Sequence, residues 1–494
     1  PCTPMQHLII HDFAQALEKA GIPEPPMLVM TSGNLHDEPI VTDDAEAVEK
    51  LGGIADAIIG NDRAILSRYD DSVVRLVRAG SAGPAVQVIR RARGFAPVPL
   101  KVPNRFEPSD APQSQPSSAP ASTPALLAVG PEQKNTLAFV RGNDAFVSQH
   151  VGDLENADTF DAWLQAASRI ESLFEVRPVA LACDAHPEYL SSKWARDQAR
   201  LRGIPLVEVQ HHHAHIASVL GEHDIDGAVC GVAFDGTGFG ADGSIWGGEV
   251  LIANQQAFER FANFAYVPMP GGAAAVKNPL RMAYGALWEF DLLDHPAAQD
   301  ALDRLGDQAT LCDQMIEKGL NTPVTSSVGR LFDAASALLG VCEQPTYEGE
   351  AAIMLEACAW SGAPDQAPTS PDAFDARYSI AITKNTASAQ STAQDTSVVL
   401  FDAAPAFKAL LDDKENGVGV PVIARRFHAA FAEAVVNAAK LAYNVYGITT
   451  VALSGGVFMN RFLTERVLAL LEGEGFTAAI NRDLPPNDGC VSYG

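Results

Sequence analysis

His211 and His215 are the residues of this chain whose types and spacing best suit chemistry. They stand in Gln210-His211-His212-His213-Ala214-His215, directly after Ile204 to Gln210, which reads as a strand. If the histidines open a helix, His211 and His215 share one face while His212 and His213 point elsewhere. Imidazole nitrogens four residues apart can grip one cation. A histidine run at a helix start can equally be incidental, so the reading depends on its neighbours. Downstream, Asp235 ends an apolar run and opens the turn Gly236-Thr237-Gly238-Phe239-Gly240. That turn sets a hard oxygen ligand beside backbone amides that can approach a phosphate.

A second turn, Ser454-Gly455-Gly456-Val457, also follows an apolar run and leads into a helix beginning near Asn460. Its amides and the helix N-terminus favour an anion. Either turn alone is often just a tight connection; together, beside the histidine pair, they point to a nucleotide. Near the end, Pro485-Pro486-Asn487-Asp488-Gly489 is a turn that can deliver Asp488 as a further oxygen ligand. Two imidazoles with Asp488, and with Asp235 directly or through water, suit Zn, Fe or Mn better than Ca, with no choice among the three. Lys134, Asn135 and Thr136 precede a hairpin and can serve a phosphate. In the N-terminal piece Thr31, Ser32 and Asn34 can hold a nucleotide by hydroxyl and amide contacts. Arg63, Arg68, Arg75, Arg90, Arg91 and Arg93 gather near them against an acidic background.

The elements that position these residues belong to an ordinary globular chain. It has 494 residues, enough for roughly three domains, with 47% hydrophobic and 19% charged residues. Net charge is 35 − 61 = −26, which disfavours non-specific nucleic-acid binding. No apolar run is long enough to span a bilayer. Seven scattered cysteines, never spaced CxxC, suit reduced thiols in a cytoplasm. The opening Pro1 and the loop-like end suggest a piece of a longer protein, so a missing signal peptide weighs little.

Residues 103–124, rich in Pro, Ser and Ala, read as a linker, and about 363–396 as an inserted polar surface loop. Before the linker, Pro26 to Thr31, Val73 to Val77 and Val86 to Arg90 read as strands and Asp43 to Leu51 as a helix. After it come a hairpin (137–140 and 145–148), helices near 160–174 and 190–202, and strands at 178–182, 227–234 and 449–453. An opening hairpin followed by αβ units, with glycine turns after strands in both halves, fits a duplicated α/β ATPase fold.

Taken in order, these blocks resemble the HypF family, the carbamoyltransferases of NiFe-hydrogenase maturation. The N-terminal piece is similar to the later part of a YrdC-like α/β domain through Thr31-Ser32-Gly33-Asn34, Asp70-Asp71-Ser72-Val73-Val74-Arg75 and Arg90-Arg91-Ala92-Arg93-Gly94. The remainder is similar to a TsaD-like domain of the actin-like ATPase (ASKHA) superfold. It carries Ser148-Gln149-His150-Val151-Gly152-Asp153, Cys183-Asp184-Ala185-His186-Pro187, Gly329-Arg330-Leu331-Phe332-Asp333-Ala334 and the turns above. The division implied is 1–102, a linker at 103–124, and 125–494 as the TsaD-like unit.

The resemblance implies ATP-dependent transfer of a carbamoyl group. Carbamoyl phosphate yields carbamate, the YrdC-like domain joins it to AMP, and the TsaD-like domain passes the carbamoyl group to the C-terminal cysteine of HypE. The product is the precursor of a cyanide ligand on the hydrogenase iron. His211, His215, Asp235 and Asp488 would hold one divalent transition metal and form the catalytic centre. Lys134, Asn135, Gly236, Thr237, Gly238, Ser454, Gly455, Gly456 and Asn460 would bind nucleotide, with Thr31, Ser32 and Asn34 in the first piece. Such a protein would be cytoplasmic.

The chain lacks the family's acylphosphatase and CxxC zinc modules and the opening part of its YrdC-like domain. It also carries Ala273 where an aspartate is expected, Glu350 for glutamine and Cys490 for glycine. A tRNA threonylcarbamoyl transferase is the rival enzyme, opposed by the hydrogenase-type blocks, the fusion and the acidic charge. A non-catalytic nucleotide-binding scaffold is the rival of another class.

Overall fold

The computed structural model describes residues 4–35, 38–78, 83–103, 125–174, 177–361, 377–384 and 399–494. The expected linker, apart from residue 103, and most of the polar tract lie outside the described residues. Within that tract Ala381–Lys384 is a strand rather than loop, because it finds Val399–Asp402 to pair with.

Two sheets carry the architecture, and they share one topology. Numbered along the chain, the first comprises Ala125–Ala128, Ala138–Arg141, Asp144–Val147, Pro178–Asp184 and Leu206–Val209, in spatial order 3-2-1-4-5. The second comprises Val229–Phe239, Ile245–Ala253, Phe258–Phe264, Thr450–Ser454 and Thr477–Ile480, again 3-2-1-4-5. In both, strands 1 to 3 pair antiparallel and strands 4 and 5 add in parallel. Repeated order and repeated sense together establish the duplication. Extra strands sit outside strand 3 of each sheet: Leu100–Lys101 on the first, Val399–Asp402 then Ala381–Lys384 on the second.

Val229–Phe239 is apolar and buried along most of its length because helices cover both faces. Val328–Leu338, Val420–Tyr446 and Arg461–Gly473 pack in the main core on one side, around Phe234, Phe332, Phe427 and Phe431. Helix His211–Glu222 lies on the other, placing Ile216, Val219 and Leu220 against Ala233, Leu251 and Ala452. Burying Ile216, Val219 or Leu220 is worth about 1.5–3 kcal/mol each. The first sheet has its own core around Leu127, Phe139, Trp163 and Leu181. Among the described residues no helix is long and apolar enough to cross a membrane.

The N-terminal piece holds helix Pro4–Lys19, which sequence reading did not anticipate, helix Asp44–Leu51 and the hairpin Val73–Arg78 with Pro84–Arg90. Asp43 caps the second helix by accepting from Ala45 N and Glu46 N. Pro26 to Thr31 is not a strand; the hairpin strands pair with each other, and Val29 is 99% exposed. The piece is stitched to the far end of the chain. Val88 N donates to the Arg482 carbonyl at 3.0 Å, and Asn487 Nδ2 donates to the Ile89 carbonyl at 3.0 Å.

Candidate metal centre and nucleotide pocket

Gln210 ends the strand side of the turn and caps the helix, its Oε1 accepting from His213 N at 3.0 Å. One helical turn then sets the rings of His211 and His215 4.9 Å apart. His212 instead faces Trp246, and His213 Nε2 lies 2.8 Å from the Asn254 carbonyl. Gly238 makes the close approach possible, since a Cβ there would collide with the His212 ring.

Asp235 comes from the first strand of the second sheet and Asp488 from the short turn Asp488–Cys490. Asp235 Oδ2 is 3.4 Å from His211 Nε2 and 3.7 Å from His215 Nε2. Asp488 Oδ1 is 3.7 and 3.8 Å from the same two nitrogens. One ligand atom from each of the four residues lies within 4.8 Å of every other, and all four residues are buried. His215 Nε2 is buried without a hydrogen-bond partner. Two imidazole nitrogens and two carboxylate oxygens converging on one buried point form a donor set that fits a divalent transition metal.

The electrostatics agree. Burial alone would lower the His211 pKa, but the Asp488 and Asp184 carboxylates outweigh it and raise it to about 10. Burial also opposes charge on Asp235, yet the two histidines hold its carboxyl well below the usual range. Burial and the neighbouring Asp235 push Asp488 up. A cation would relieve this crowding of like charge. Behind the site, His211 Nδ1 meets Asp184 Oδ2 at 2.7 Å, the carboxylate support typical of histidine metal ligands. Sequence reading quoted Asp184 without giving it a role; its place at the C-terminal end of strand Pro178–Asp184 was the available signal.

A cavity of about 280 Å³ opens beside Asp235 and Asp488, and Lys134, Gly236, Thr237, Gly456 and Asn460 line it. Gly456 N donates to Asp235 Oδ1 at 3.0 Å. Residues 236–239, expected as a glycine turn, instead continue strand Val229–Phe239 because Gly238 and Phe239 pair with Trp246 and Ile245, and the chain turns only beyond Gly240. Other expected nucleotide residues are placed elsewhere. Asn135 is fully buried, its Nδ2 donating to the Val129 and Pro131 carbonyls. Ser454 sits behind His215, and Gly455, at φ +100°, presses on the Phe234 carbonyl. Gly238 packs against the histidine rings.

The same wall holds three residues to which sequence reading gave no role. Arg330, 2% exposed, pairs with Asp333 at 3.2 Å and keeps Nε and Nη1 without partners. Burial raises Asp333 to about 6 against the pull of Arg330. Glu348 Oε2 binds Lys134 Nζ at 3.0 Å.

A larger cavity, about 1620 Å³, runs from Ser32 and Asn34 past Arg68, Arg90 and His150 to Lys134 and Thr237. It therefore reaches from the N-terminal piece to the end of strand Val229–Phe239, whereas Thr31 lies exposed. The arginines divide: Arg75 borders the small cavity, Arg91 is buried on backbone carbonyls, and Arg93 pairs with Asp71. Ala273 borders the large cavity. Glu350 turns back to accept from Thr346 at the start of its helix, and Cys490 Sγ lies 3.3 Å from His215 Nδ1.

Three family models match the chain. Residues 231–494 match the carbamoyltransferase Kae1-like domain, second subdomain, 121–222 the HypF Kae1-like domain, and 1–92 the telomere recombination (Sua5/YciO/YrdC) domain. Carbamoyltransferase HypF2 of Cupriavidus necator is 39% identical over all of the chain, which spans 59% of that protein's length. A shorter carbamoyltransferase HypF homolog of the same organism is 35% identical over 75% of the chain and 90% of its own. The structure of full-length HypF in its phosphate- and nucleotide-bound form superposes with a TM-score of 0.80 at 35% identity, covering 94% of this chain and 66% of that one.

Proposed function

The chain belongs to the HypF carbamoyltransferase family, and on that premise we propose that it serves ATP-dependent carbamoyl transfer. The donor is carbamoyl phosphate, the intermediate carbamoyl adenylate, and the acceptor the C-terminal cysteine of HypE. The observation that carries this reading is the convergence of His211, His215, Asp235 and Asp488 at the edge of a cavity walled by a glycine turn. The relative solved in a phosphate- and nucleotide-bound form supports a nucleotide site in this chain.

The residues divide the work. Lys134 and the amides around Gly236 and Gly456 are placed to take the phosphate of the adenylate. Asp333 and Arg330 sit further along the same wall, where hydroxyl and phosphate groups of a nucleotide need an acceptor and a donor. A divalent metal held by His211, His215, Asp235 and Asp488 would act as a Lewis acid toward the carbamoyl carbonyl. The acceptor sulfur attacks the carbamoyl carbon, the bond to the phosphate oxygen breaks, AMP leaves, and the thiol proton is released. A free thiol acceptor places the reaction in a reducing compartment, the cytoplasm.

The test takes the purified protein with ATP, carbamoyl phosphate and HypE, and follows the HypE C-terminal peptide by mass spectrometry. One added carbamoyl group, lost with His211→Ala, is the expected result. No transfer from folded, metal-loaded protein overturns the proposal and favours a scaffold or another acceptor.

A further inference from the structure

The two facing imidazoles are held from behind by different means. His211 Nδ1 meets a carboxylate, which only accepts. His215 Nδ1 is 3.3 Å from Ser454 Oγ, and a hydroxyl can give or take a proton. Two contacts further on, the ambiguity is resolved. Ser218 Oγ is 2.7 Å from the His215 carbonyl, so the one Ser218 proton is committed to that acceptor. Ser218 Oγ then accepts from Asn481 Nδ2, 2.9 Å away. This orients the Asn481 amide and turns its Oδ1 to Ser454 Oγ at 2.8 Å, where the Ser454 proton goes. What remains for Ser454 toward His215 is to accept. Ser218, His215, Ser454 and Asn481 all have 0% exposure, so solvent does not compete for any of these protons. Cys490 Sγ, also 3.3 Å from His215 Nδ1, adds a weak acceptor on the same side.

We propose that Ser218, Asn481 and Ser454 form a closed positioning ring that keeps the proton on His215 Nδ1 and presents Nε2 as the ligand atom. The free direction of His215 Nε2, buried and without a hydrogen-bond partner between Asp235 and Asp488, is its counterpart. Ser454 on this view serves the histidine and not a nucleotide. The inference rests on the proposed reading of the four-residue cluster as a cation site. It assigns the ring a share of metal affinity, as partners behind metal ligands commonly have.

The experiment measures zinc affinity of the full chain by competition with a chromogenic chelator, with no turnover involved. Asn481→Leu keeps the side chain's size but removes the 2.8 Å acceptor of the Ser454 proton, leaving the longer contact to the Pro486 carbonyl at 3.4 Å; affinity falls about 10- to 100-fold. Asn481→Asp loses the donor to Ser218 but its carboxylate still accepts the Ser454 proton, and affinity stays within about threefold of the parent. Ser218→Ala, a change that a helix readily accepts, frees the amide to flip and lowers affinity where Asn481→Leu fails to fold. In the zinc-loaded chain, nitrogen-15 histidine spectra should show His215 protonated at Nδ1, and a proton absent from Nδ1 overturns the ring. Asn481→Leu and Ser218→Ala both binding zinc as the parent does, or Asn481→Asp and Asn481→Leu losing affinity equally, overturns the ring alone. A parent chain that binds no zinc overturns the cation reading and the ring with it.

Discussion

Lys134 and Glu348 meet across the cleft between the two halves, Nζ to Oε2 at 3.0 Å, at the wall both cavities share. Lys134 belongs to the first half and Glu348 to the second, and a bound phosphate would compete with the carboxylate for the ammonium. Glu348→Gln should therefore tighten ADP binding by about fivefold, the equivalent of about 1 kcal/mol. Lys134→Met should weaken it by about tenfold. Titration calorimetry checks both, and weaker binding in Glu348→Gln would show that the carboxylate contacts nucleotide instead.

Metal content should follow the two imidazoles. His211→Ala and His215→Ala each leave a buried carboxylate pair with one nitrogen ligand, and purified protein should lose most of its bound metal. Asp184→Asn, which weakens the support on His211 Nδ1, should cost about tenfold in zinc affinity with the fold retained. Metal analysis beside circular dichroism separates these outcomes from simple unfolding.

Gly455→Ala should destabilise the chain by about 3 kcal/mol or more. At φ +100° an added Cβ would land on the Phe234 carbonyl, which is backbone and cannot rotate away. Denaturant unfolding gives the value; a loss under about 1 kcal/mol would mean that the turn relaxes.

His428 is fully buried, its Nδ1 donating to the Ala424 carbonyl and its Nε2 accepting from Asn460. Burial lowers its pKa to about 4, so the folded chain keeps it neutral where the unfolded chain protonates it. Its contribution is thus intact above about pH 6.5 and is lost as pH falls toward 4. Between pH 7 and pH 5 this site should cost about 2 kcal/mol of stability. His428→Gln should flatten that part of the pH profile, read from urea midpoints.

Legibility followed sequence distance. The histidine spacing is a local pattern, and the structure brings His211, His215, Asp235 and Asp488 together. Of the two expected glycine turns only Gly455-Gly456 leaves its strand, because pairing with Ile245 and Trp246 keeps residues 236–239 extended. The expected YrdC-like piece followed by a duplicated actin-like ATPase fold also holds. Asn481 touches Ser218 across 263 positions and Ser454 meets His215 across 239, so no local spacing announces either. Asn135 shows the converse. Its motif position suggested a phosphate, but Val129 and Pro131, only a few residues back, claim its amide. Pro26 to Thr31 has a strand's composition and, among the described residues, no strand that pairs with it.

Strand Pro84–Arg90 grips the loop leading to Asp488 through Val88 to Arg482 and Ile89 to Asn487. Heat or a protease that peels away the first hundred residues should therefore also unmoor Asp488 at the opposite end of the chain. Loss of the N-terminal piece and release of any cation held there should then coincide as a single event in a melting curve.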